Sequence, residues 1–296
     1  MDLFQELGER GHEQVSFFHD SDSGLKGLVA IHNTVLGPAL GGCRMWNYEN
    51  ETEALVDVLR LSKGMTYKAA IAGLNLGGGK AVILGDSKTQ KTENLFRSFG
   101  RFVEGLGGRY ITAEDVGTSI KDMEHVRMET NYVTGISQAL GGSGDPSPVT
   151  AYGVFVGIKA SVKERLNRTE LDGLKVSVQG LGHVGMYLCE YLHKEGAELF
   201  VTDIDQSLMG QAVDNFGVTP VEPDGIYEVD VDVYAPCALG ATVNPDTIDK
   251  LKCTIIAGSA NNQLIENNFG VELKKRNILY APDYAINAGG LINVSN

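Results

Sequence analysis

The sequence has few cysteines, no long hydrophobic run and little positive charge. Lys and Arg total 25 against 38 Asp and Glu, a net charge of −13, which argues against nucleic acid as the main partner. No apolar run approaches the length of a membrane span, and the N-terminal residues lack the basic-then-apolar layout of a secretion signal. A cytoplasmic enzyme that acts on a small molecule, with no nucleic-acid or membrane partner, is therefore expected.

The cysteines are isolated from one another and show no CxxC or other metal-ligand spacing. They are Cys43, Cys189, Cys237 and Cys253. This usage is typical of small buried apolar residues in a reducing compartment. Neither a disulfide framework nor a metal site is predicted.

The alternation of apolar segments predicts an α/β protein with two domains, for which 296 residues are sufficient. In the first half the pattern predicts strands at 27–32 and 80–85, helices at 52–70 and 92–106, and a short strand in RYITAEDVG. The segment GGSGDPSPVT then breaks regular structure and separates a first domain, 1–147, from a second, 148–296. Thr150 can cap a helix at about 151–166.

The second domain is predicted to be a parallel, doubly wound sheet. Short apolar segments recur at spacings suited to βαβ units: LKVSVQG, AELFVTD, VDVDVYAP, CTIIAG and NILYAP. Strands that alternate with helical periods in this way form parallel sheets with helices on both faces.

The turn after the first of these segments predicts a dinucleotide site. The G-x-G-x-x-G glycines are Gly180, Gly182 and Gly185, and Asp203 ends the next strand, 23 residues after Gly180. The glycines allow a tight turn, a close approach of the pyrophosphate and close helix packing, while the helix N-terminus favours the phosphate charge. The residues predicted to contact the cofactor here are Gly180, Leu181, Gly182, His183, Val184, Gly185, Met186 and Asp203. The alternative is a glycine turn without a ligand.

NAD rather than NADP is expected. The carboxylate of Asp203 can accept hydrogen bonds from both ribose hydroxyls but would repel a 2′-phosphate, and the following residues, IDQS, offer no arginine.

Two lysines flank a glycine run in GMTYKAAIAGLNLGGGKAVILG. Lys68 is predicted near the end of a helix and Lys80 follows the glycines, both in an apolar setting where lysines can act as bases or anion ligands. A P-loop is excluded, because Leu74 stands where its first glycine belongs and Ala81 replaces its Ser or Thr. From these residues alone, two solvated lysines beside a glycine turn remain an open alternative.

Motifs along the whole chain identify it as similar to a known family. They are GPALGGCRMW, LSKGMTYKAAIAGLNLGGGKAVILGD, RYITAEDVG, GDPSPVTAYGV, GLGHVG, APCALGA, AGSANNQL and APDYAINAGGLINV. In register they resemble the Glu/Leu/Phe/Val amino-acid dehydrogenases, most of all the leucine-type members. The resemblance implies an N-terminal α/β domain for substrate binding and oligomerisation, a C-terminal Rossmann-type NAD domain, and a homo-oligomer.

The resemblance also implies roles for individual residues. Lys68 would bind the substrate α-carboxylate, Lys80 would be the catalytic lysine, and Asp115 would handle protons on the amine and the attacking water. Glu114 is the competing acid in the same turn, for which a structural or solvated role is favoured. Thr150 and Asn262 match positions that contact the nicotinamide end of the cofactor, although a helix cap and a turn residue are the alternatives.

The implied reaction is reversible, NAD-dependent oxidative deamination of an L-amino acid to its 2-oxo acid and ammonia. The matching pocket positions are Leu40, Gly41, Met65, Ala113, Leu291 and Val294. Glutamate-specific relatives carry a lysine where this chain has Leu40, so a branched-chain aliphatic side chain fits best. An aromatic substrate such as phenylalanine or tryptophan is one alternative, and a catalytically silent NAD-binding relative is another.

Two departures from the family pattern stand out. Cys43 replaces the usual threonine of leucine-type members, which would change local packing but removes no proposed catalytic group. Family members also continue beyond the position of Asn296 with helices that return to the first domain, and the resemblance implies that these helices brace the cleft.

Overall fold

The computed structural model describes residues 3–142, 144–238 and 240–295. The chain divides into two units, one of Met1–Pro146 with Leu291–Asn296 and one of Ser147–Gly290. The helices are α1 (Leu3–Arg10), α2 (Glu51–Ile71), α3 (Glu93–Gly105), α4 (Ile120–Arg127), α5 (Ser147–Leu166), α6 (His183–Lys194), α7 (Gln206–Phe216), α8 (Phe269–Lys275), α9 (Asp283–Ile286) and α10 (Gly289–Val294). The strands are β1 (Gln14–Asp20), β2 (Leu25–Asn33), β3 (Ala39–Trp46), β4 (Gly77–Leu84), β5 (Tyr110–Glu114), β6 (Lys175–Gln179), β7 (Glu198–Thr202), β8 (Thr219–Pro220), β9 (Val233–Pro236), β10 (Ile255–Ile256) and β11 (Leu279–Tyr280).

The first unit is built on a mixed sheet with the strand order β1-β2-β4-β3-β5. β1 and β2 pair in antiparallel fashion at one edge, whereas β4, β3 and β5 run parallel to one another. Helix α2 covers one face through Leu55, Val58 and Leu59, and α3 covers the other through Phe96 and Phe99. The chain therefore places the carboxyl ends of three parallel strands side by side.

Glycines in β4 let α2 lie directly on the sheet. A Cβ at Gly78 would stand 2.2 Å from the Thr66 nitrogen of α2, and a Cβ at Gly79 would stand 2.7 Å from the Tyr110 ring on the other face. Both distances are shorter than any real Cβ contact, so these positions require glycine. The glycine run is thus the first part of a strand that is sandwiched between a helix and an aromatic ring.

The second unit is an all-parallel sheet with the order β11-β10-β9-β6-β7-β8. The order reverses at β6, as it does in the Rossmann fold, where ligands bind beyond the carboxyl ends of the strands at this switch point. The sheet core is aliphatic, with Val176, Val178, Val201, Val233 and Ile255 all buried. The predicted α/β architecture and the doubly wound second domain are confirmed.

Several local predictions differ from the structure. The strand predicted from Lys80 begins at Gly77, so the glycine run is neither a loop nor a turn. The helix predicted from 151 begins at Ser147, which places Thr150 in its first turn instead of at its cap. Leu291–Asn296, assigned from sequence to the second domain, groups with the first unit, because Leu291 packs against Leu40 and Ala69 there.

In the described parts of the chain, no helix has both the length and the apolar character that crossing a membrane requires.

Candidate active site

Strand alternation sets which side chains of the first sheet face α2. A Cβ built on Gly78 would point at Thr66 of α2. Alternate residues of a strand point to the same face, so the side chain of Lys80, two residues further along β4, also points toward α2. On the neighbouring strand β3, Leu40 is paired with Gly78 and Arg44 with Val82, and both therefore share this face. An apolar residue, a lysine and an arginine thus line the surface on which α2 lies.

Lys80 and Asp115 form a buried ion pair. Lys80 Nζ lies 2.8 Å from Asp115 Oδ2, and the exposed fractions of the two side chains are 5% and 16%. Asp115 directly follows β5, where its N–H donates to Thr118 Oγ1 at 2.9 Å. Because β4 and β5 both flank β3 in parallel, the sheet brings these residues together from positions 35 apart in the sequence.

Glycine at position 42 makes room for this pair. A Cβ there would lie 2.4 Å from the Glu114 carbonyl oxygen and 2.8 Å from the Asp115 Cβ. Likewise, a Cβ at Gly41 would lie 1.7 Å from the Gly79 carbonyl oxygen. Gly41 and Gly42 therefore allow three strands to converge closely enough for Asp115 to reach Lys80.

The charges around Asp115 keep it ionised. Burial alone raises the pKa of Asp115, but the positive charges of Lys80 and Arg44 outweigh this effect and hold its pKa well below the ordinary value. Asp115 Oδ2 accepts from both cations, at 2.8 Å and 3.1 Å. Among the described residues, Oδ1 accepts no hydrogen bond, so it is available to a ligand.

Glu114 lies in a different environment from its neighbour. Its side chain is half-buried, and burial together with the negative charges of Asp145 and Asp115 raises its pKa to about 7. A carboxyl with this pKa is partly protonated at neutral pH, whereas the Asp115 carboxyl is ionised. The two adjacent acids therefore differ in charge state under the same conditions.

Four of the predicted pocket residues lie in one apolar cluster of the first unit. Leu40, Ala69 and Leu291 are its buried members, and the side chains packed against them are Met65, Leu74, Leu76, Ile111 and Val294. Ala113 is buried on β5, in register with Gly42, and Gly41 is in register with Thr112. The structure thus joins Leu40, Met65, Leu291 and Val294, and it places Gly41 and Ala113 on the strands beside them.

Lys68 lies on α2 within the same region. It is buried in the last turn of that helix, with 9% exposure. Met65 and Lys68 are three residues apart and so occupy one face of α2. The structure therefore places the Lys68 ammonium beside the apolar cluster that contains Met65.

Arg44 was not among the residues predicted from sequence. It lies in β3 and bridges two carboxylates, with Nε 3.1 Å from Asp115 Oδ2 and Nη1 2.9 Å from Asp57 Oδ2. Tyr48 Oη donates to the same Asp57 oxygen at 2.7 Å. An arginine inside the apolar segment ALGGCRMW was the available signal, because buried arginines are normally paired.

In the second unit, the glycine turn is tightly folded against the start of α6. Gly180 has φ +101°, and a Cβ at Gly185 would lie 2.0 Å from the Gly180 carbonyl oxygen. A Cβ at Gly182 would meet nothing within 4 Å, so the space over the N-terminus of α6 is open. These residues fit a pyrophosphate held at a helix N-terminus.

Asp203 is already positioned beside this turn. Its Oδ2 accepts from the Leu181 N–H at 2.6 Å and its Oδ1 from the Asp205 N–H at 2.9 Å. The side chain is partly exposed, so its oxygens can also be reached by a ligand. Leu181 has a fully buried side chain, so only its backbone could contact a ligand at this turn.

The remaining predicted cofactor residues are on the same unit. His183, Val184 and Met186 lie in the first turn of α6, with His183 exposed and the other two partly buried against the core. Thr150 lies in the first turn of α5. Asn262 has φ +52° in the loop after β10, and its carbonyl accepts from the Ala241 N–H at 2.7 Å.

Comparison with known proteins finds relatives along the chain. Residues 12–132 match the Glu/Leu/Phe/Val dehydrogenase dimerisation domain, and residues 141–207 and 201–295 match Glutamate/Leucine/Phenylalanine/Valine dehydrogenase. Leucine dehydrogenase from Bacillus subtilis is 57% identical, over 100% of this chain and 81% of the relative. Phenylalanine dehydrogenase from Bacillus thermotolerans is 51% identical, over 99% of this chain and 78% of the relative. In structure, the chain is similar to L-tryptophan dehydrogenase from Nostoc punctiforme, with a TM-score of 0.78 and 49% identity over 99% of this chain and 84% of that one.

Proposed function

The chain belongs to the Glu/Leu/Phe/Val dehydrogenase family and is an amino-acid dehydrogenase, and we propose that it converts a branched-chain aliphatic L-amino acid reversibly to its 2-oxo acid and ammonia, with NAD as cofactor. The observation that carries the proposal is the buried Lys80–Asp115 ion pair in the unit that holds the apolar cluster around Leu40. The lysine and the carboxylate of this pair can transfer protons, and the apolar surface around Leu40 favours a substrate with an uncharged side chain.

The substrate's charged groups have counterparts among the buried residues of the first unit. Lys68 would bind the α-carboxylate as a point charge on α2. Asp115 would accept a hydrogen bond from the substrate nitrogen through Oδ1, since Oδ2 is engaged by Lys80 and Arg44. Lys80 would then lie between Asp115 and the reacting carbon, where it can exchange protons with Asp115 and with the water that adds to this carbon.

The cofactor would be held by the second unit. The turn from Gly180 to Gly185 would bind the pyrophosphate, Asp203 the ribose hydroxyls, and Thr150 and Asn262 the nicotinamide end. When bound, NAD would supply the hydride acceptor for the substrate Cα. The chain's own residues orient the two ligands, exclude bulk water and move protons.

Proton movement completes the reaction on the substrate. After Cα is oxidised to an imine, Lys80 would assist the water that adds to this carbon, and Asp115 would exchange protons with the substrate nitrogen. The resulting carbinolamine loses ammonia and leaves the 2-oxo acid. Because Asp115 is ionised and Lys80 lies in contact with it, a proton can pass between them without the entry of solvent.

An initial-rate assay of NADH formation with a panel of amino acids tests this proposal. The panel contains leucine, valine, isoleucine, phenylalanine, tryptophan and glutamate. We expect the highest kcat/KM with the branched aliphatic substrates and none above background with glutamate. A higher kcat/KM with an aromatic substrate would reassign the substrate class, and no activity with any of the six would refute the dehydrogenase assignment.

Gly42→Ala should impair turnover through sterics alone. The new methyl would have to displace the Glu114 carbonyl or the Asp115 Cβ, which lie 2.4 Å and 2.8 Å from its position. A shift of about 1 Å at a catalytic group can lower the rate roughly 100-fold, so we expect a fall in kcat of that order. Gly64→Ala is the matched control, because a Cβ at this position of α2 meets nothing within 4 Å. Equal kcat values for the two variants would contradict the proposed placement of Asp115.

Asp203→Ala should weaken selection for NAD over NADP. The carboxylate that would receive the ribose hydroxyls is lost, and with it the charge that repels a 2′-phosphate. We expect the KM for NAD to rise and the ratio of kcat/KM values, NAD over NADP, to fall by about tenfold or more, as for the loss of a charge-assisted hydrogen bond. Asp214→Ala, at an exposed position of α7, should leave the ratio unchanged. Strong NADP activity of the unaltered chain would show that Asp203 does not have this role.

We also expect the chain to self-associate through its first unit, where residues 12–132 match a dimerisation domain. Light scattering after size-exclusion chromatography would give the number of subunits.

The described cysteines are all free, which supports a reducing, cytoplasmic setting.

A further inference from the structure

We propose that Arg44 is a positioning residue for the reaction, which holds Asp115 against Lys80 through a guanidinium fork anchored on Asp57. This inference rests on the proposed function to the extent that Asp115 acts in the reaction. Its geometric basis is independent of that role, because the contacts of Arg44 exist in the protein without a substrate.

The four charges form an alternating row on the α2 face of the first sheet. Asp57 from α2 contacts Arg44 of β3, Arg44 contacts Asp115 at the end of β5, and Asp115 contacts Lys80 of β4, at 2.9, 3.1 and 2.8 Å. Each charge has an opposite charge beside it, and the row is neutral as a whole. Residues from four different elements are thereby fixed relative to one another.

The guanidinium shape is necessary for this arrangement. Arg44 donates from Nε to one carboxylate and from Nη1 to another, and its side chain is only 18% exposed. A lysine carries the same charge at a single point, so it could contact one carboxylate well but could not span both in this way. Because the guanidinium contacts both Asp57 of α2 and Asp115, it fixes the Asp115 carboxylate relative to α2.

The far end of the row is also fixed. Tyr48 Oη donates to Asp57 Oδ2, the oxygen that also receives Arg44. Burial and the negative charge of Asp57 raise the pKa of Tyr48 above its ordinary value, so its hydroxyl stays protonated and remains a donor. Asp57 is thereby held in place while it anchors Arg44.

Arg44 differs from Lys80 in that it has no proton to exchange. Burial alone lowers the pKa of Arg44, but Asp115 and Asp57 more than offset this and keep it above its ordinary value. When Lys80 exchanges a proton during the addition of water, Arg44 remains as a fixed positive charge on Asp115 Oδ2. It therefore holds the Asp115 carboxyl in place while its other partner changes charge.

Other titratable groups near Asp115 come from the surrounding elements. They are Lys80 on β4, Cys43 and Arg44 on β3, Tyr48 in the loop after β3, Asp57 on α2, and Tyr110 and Glu114 on β5. The pKa values of Cys43, Tyr48 and Tyr110 are raised, with burial the largest cause, so these groups are neutral. The largest positive charges that act on Asp115 are therefore those of Lys80 and Arg44.

The experiment compares Arg44→Gln and Arg44→Lys with the unaltered chain in two readouts. One is the pKa of Asp115, followed by ¹³C NMR of aspartate-labelled protein and assigned by difference from Asp115→Asn. The other is kcat against pH. We expect Arg44→Gln to raise the pKa of Asp115 by at least about one unit, the effect of losing an adjacent opposite charge, and to lower kcat roughly 10- to 100-fold. Arg44→Lys should keep the pKa low but restore kcat only in part.

Two further variants separate positioning from simple structural support. Asp57→Asn removes the anchor and leaves the charge of Arg44, so kcat should fall without a rise in the pKa of Asp115. Arg97→Gln is the matched control, because Arg97 of α3 also bridges two carboxylates, those of Glu93 and Glu129, and its loss should change neither readout.

An unchanged Asp115 pKa in Arg44→Gln, with only a lower melting temperature, would overturn the proposal. If that variant does not fold, wild-type kcat in both Arg44→Lys and Asp57→Asn would overturn it equally. If the unaltered chain deaminates no amino acid, the proposed function fails, while the NMR titration still decides whether Arg44 controls Asp115.

Discussion

Lys80→Ala is expected to lower kcat by about a thousandfold or more, as for the loss of a general acid–base group, while NAD binding stays nearly intact. The substitution removes the only side chain for which both proton exchange and contact with Asp115 are proposed. It leaves Asp115 paired with Arg44 and leaves the dinucleotide turn untouched, since Gly180 and Asp203 belong to the other unit. Steady-state kinetics with leucine would give kcat, and the quenching of the protein's own fluorescence by NAD would give the binding constant.

Lys159→Ala is the control for this prediction. Lys159 makes an ion pair of the same length, 2.8 Å to Glu195, but its side chain is 35% exposed. Exposed pairs of this kind contribute about 0–1 kcal/mol to stability, so kcat should stay close to that of the unaltered chain. Near-wild-type turnover in Lys80→Ala would refute the catalytic role of this lysine.

Leu40→Lys is expected to lower kcat/KM for leucine by about a thousandfold or more, because a buried charge would be left without a partner beside an apolar substrate. Leu40 is 4% exposed and packs with Ala69 and Leu291, so the new ammonium would have no water to solvate it. Glutamate could provide a carboxylate for it, and we expect measurable glutamate activity to appear. Kinetics with both amino acids, together with a melting curve to confirm folding, would test this.

Leu40→Met is the companion variant, since it keeps the volume and the apolar character of the side chain. Such swaps cost less than about 1.5 kcal/mol, so leucine activity should fall about tenfold at most. If Leu40→Lys kept the leucine activity of Leu40→Met, Leu40 would not face the substrate side chain.

The periodic parts of the fold could be predicted from the sequence because local pattern determined them. Helix α2 follows its apolar period and begins at the Asn50 cap, whose side chain accepts from the Glu53 N–H. The strands of the second unit are short apolar runs between helical periods, and their parallel order follows from that alternation. The G-x-G-x-x-G turn was recognisable because it follows an apolar strand and opens an amphipathic helix, with Asp203 at the end of the next strand.

Strand β3 was missed because its sequence, ALGGCRMW, has glycines and an arginine where a buried strand normally has aliphatic residues. The glycines are there because Gly79, Glu114 and Asp115 approach too closely for a Cβ, and the approach depends on strands that are distant in sequence. For the same reason, β4 was predicted to start at Lys80 instead of Gly77. Tertiary packing overrides local propensity at these positions.

The electrostatic partners of the candidate site were only partly predictable. Family resemblance indicated Lys80 and Asp115, but the contacts of Arg44 with Asp57 join residues from two elements without any motif in common. The hydrogen bond from the Leu181 N–H to Asp203 is likewise a consequence of the fold. A sequence pattern shows which groups are present, whereas the sheet register determines which of them meet.

The most direct test of the central claim is the stoichiometry of the products that the unaltered chain forms from leucine and NAD. NADH, ammonia and the 2-oxo acid would be quantified in the same reaction mixture. Oxidative deamination predicts that the three appear in equal amounts and that leucine disappears at the same rate. NADH formation without ammonia, or no NADH at all, would contradict the reaction assigned to Lys80 and Asp115.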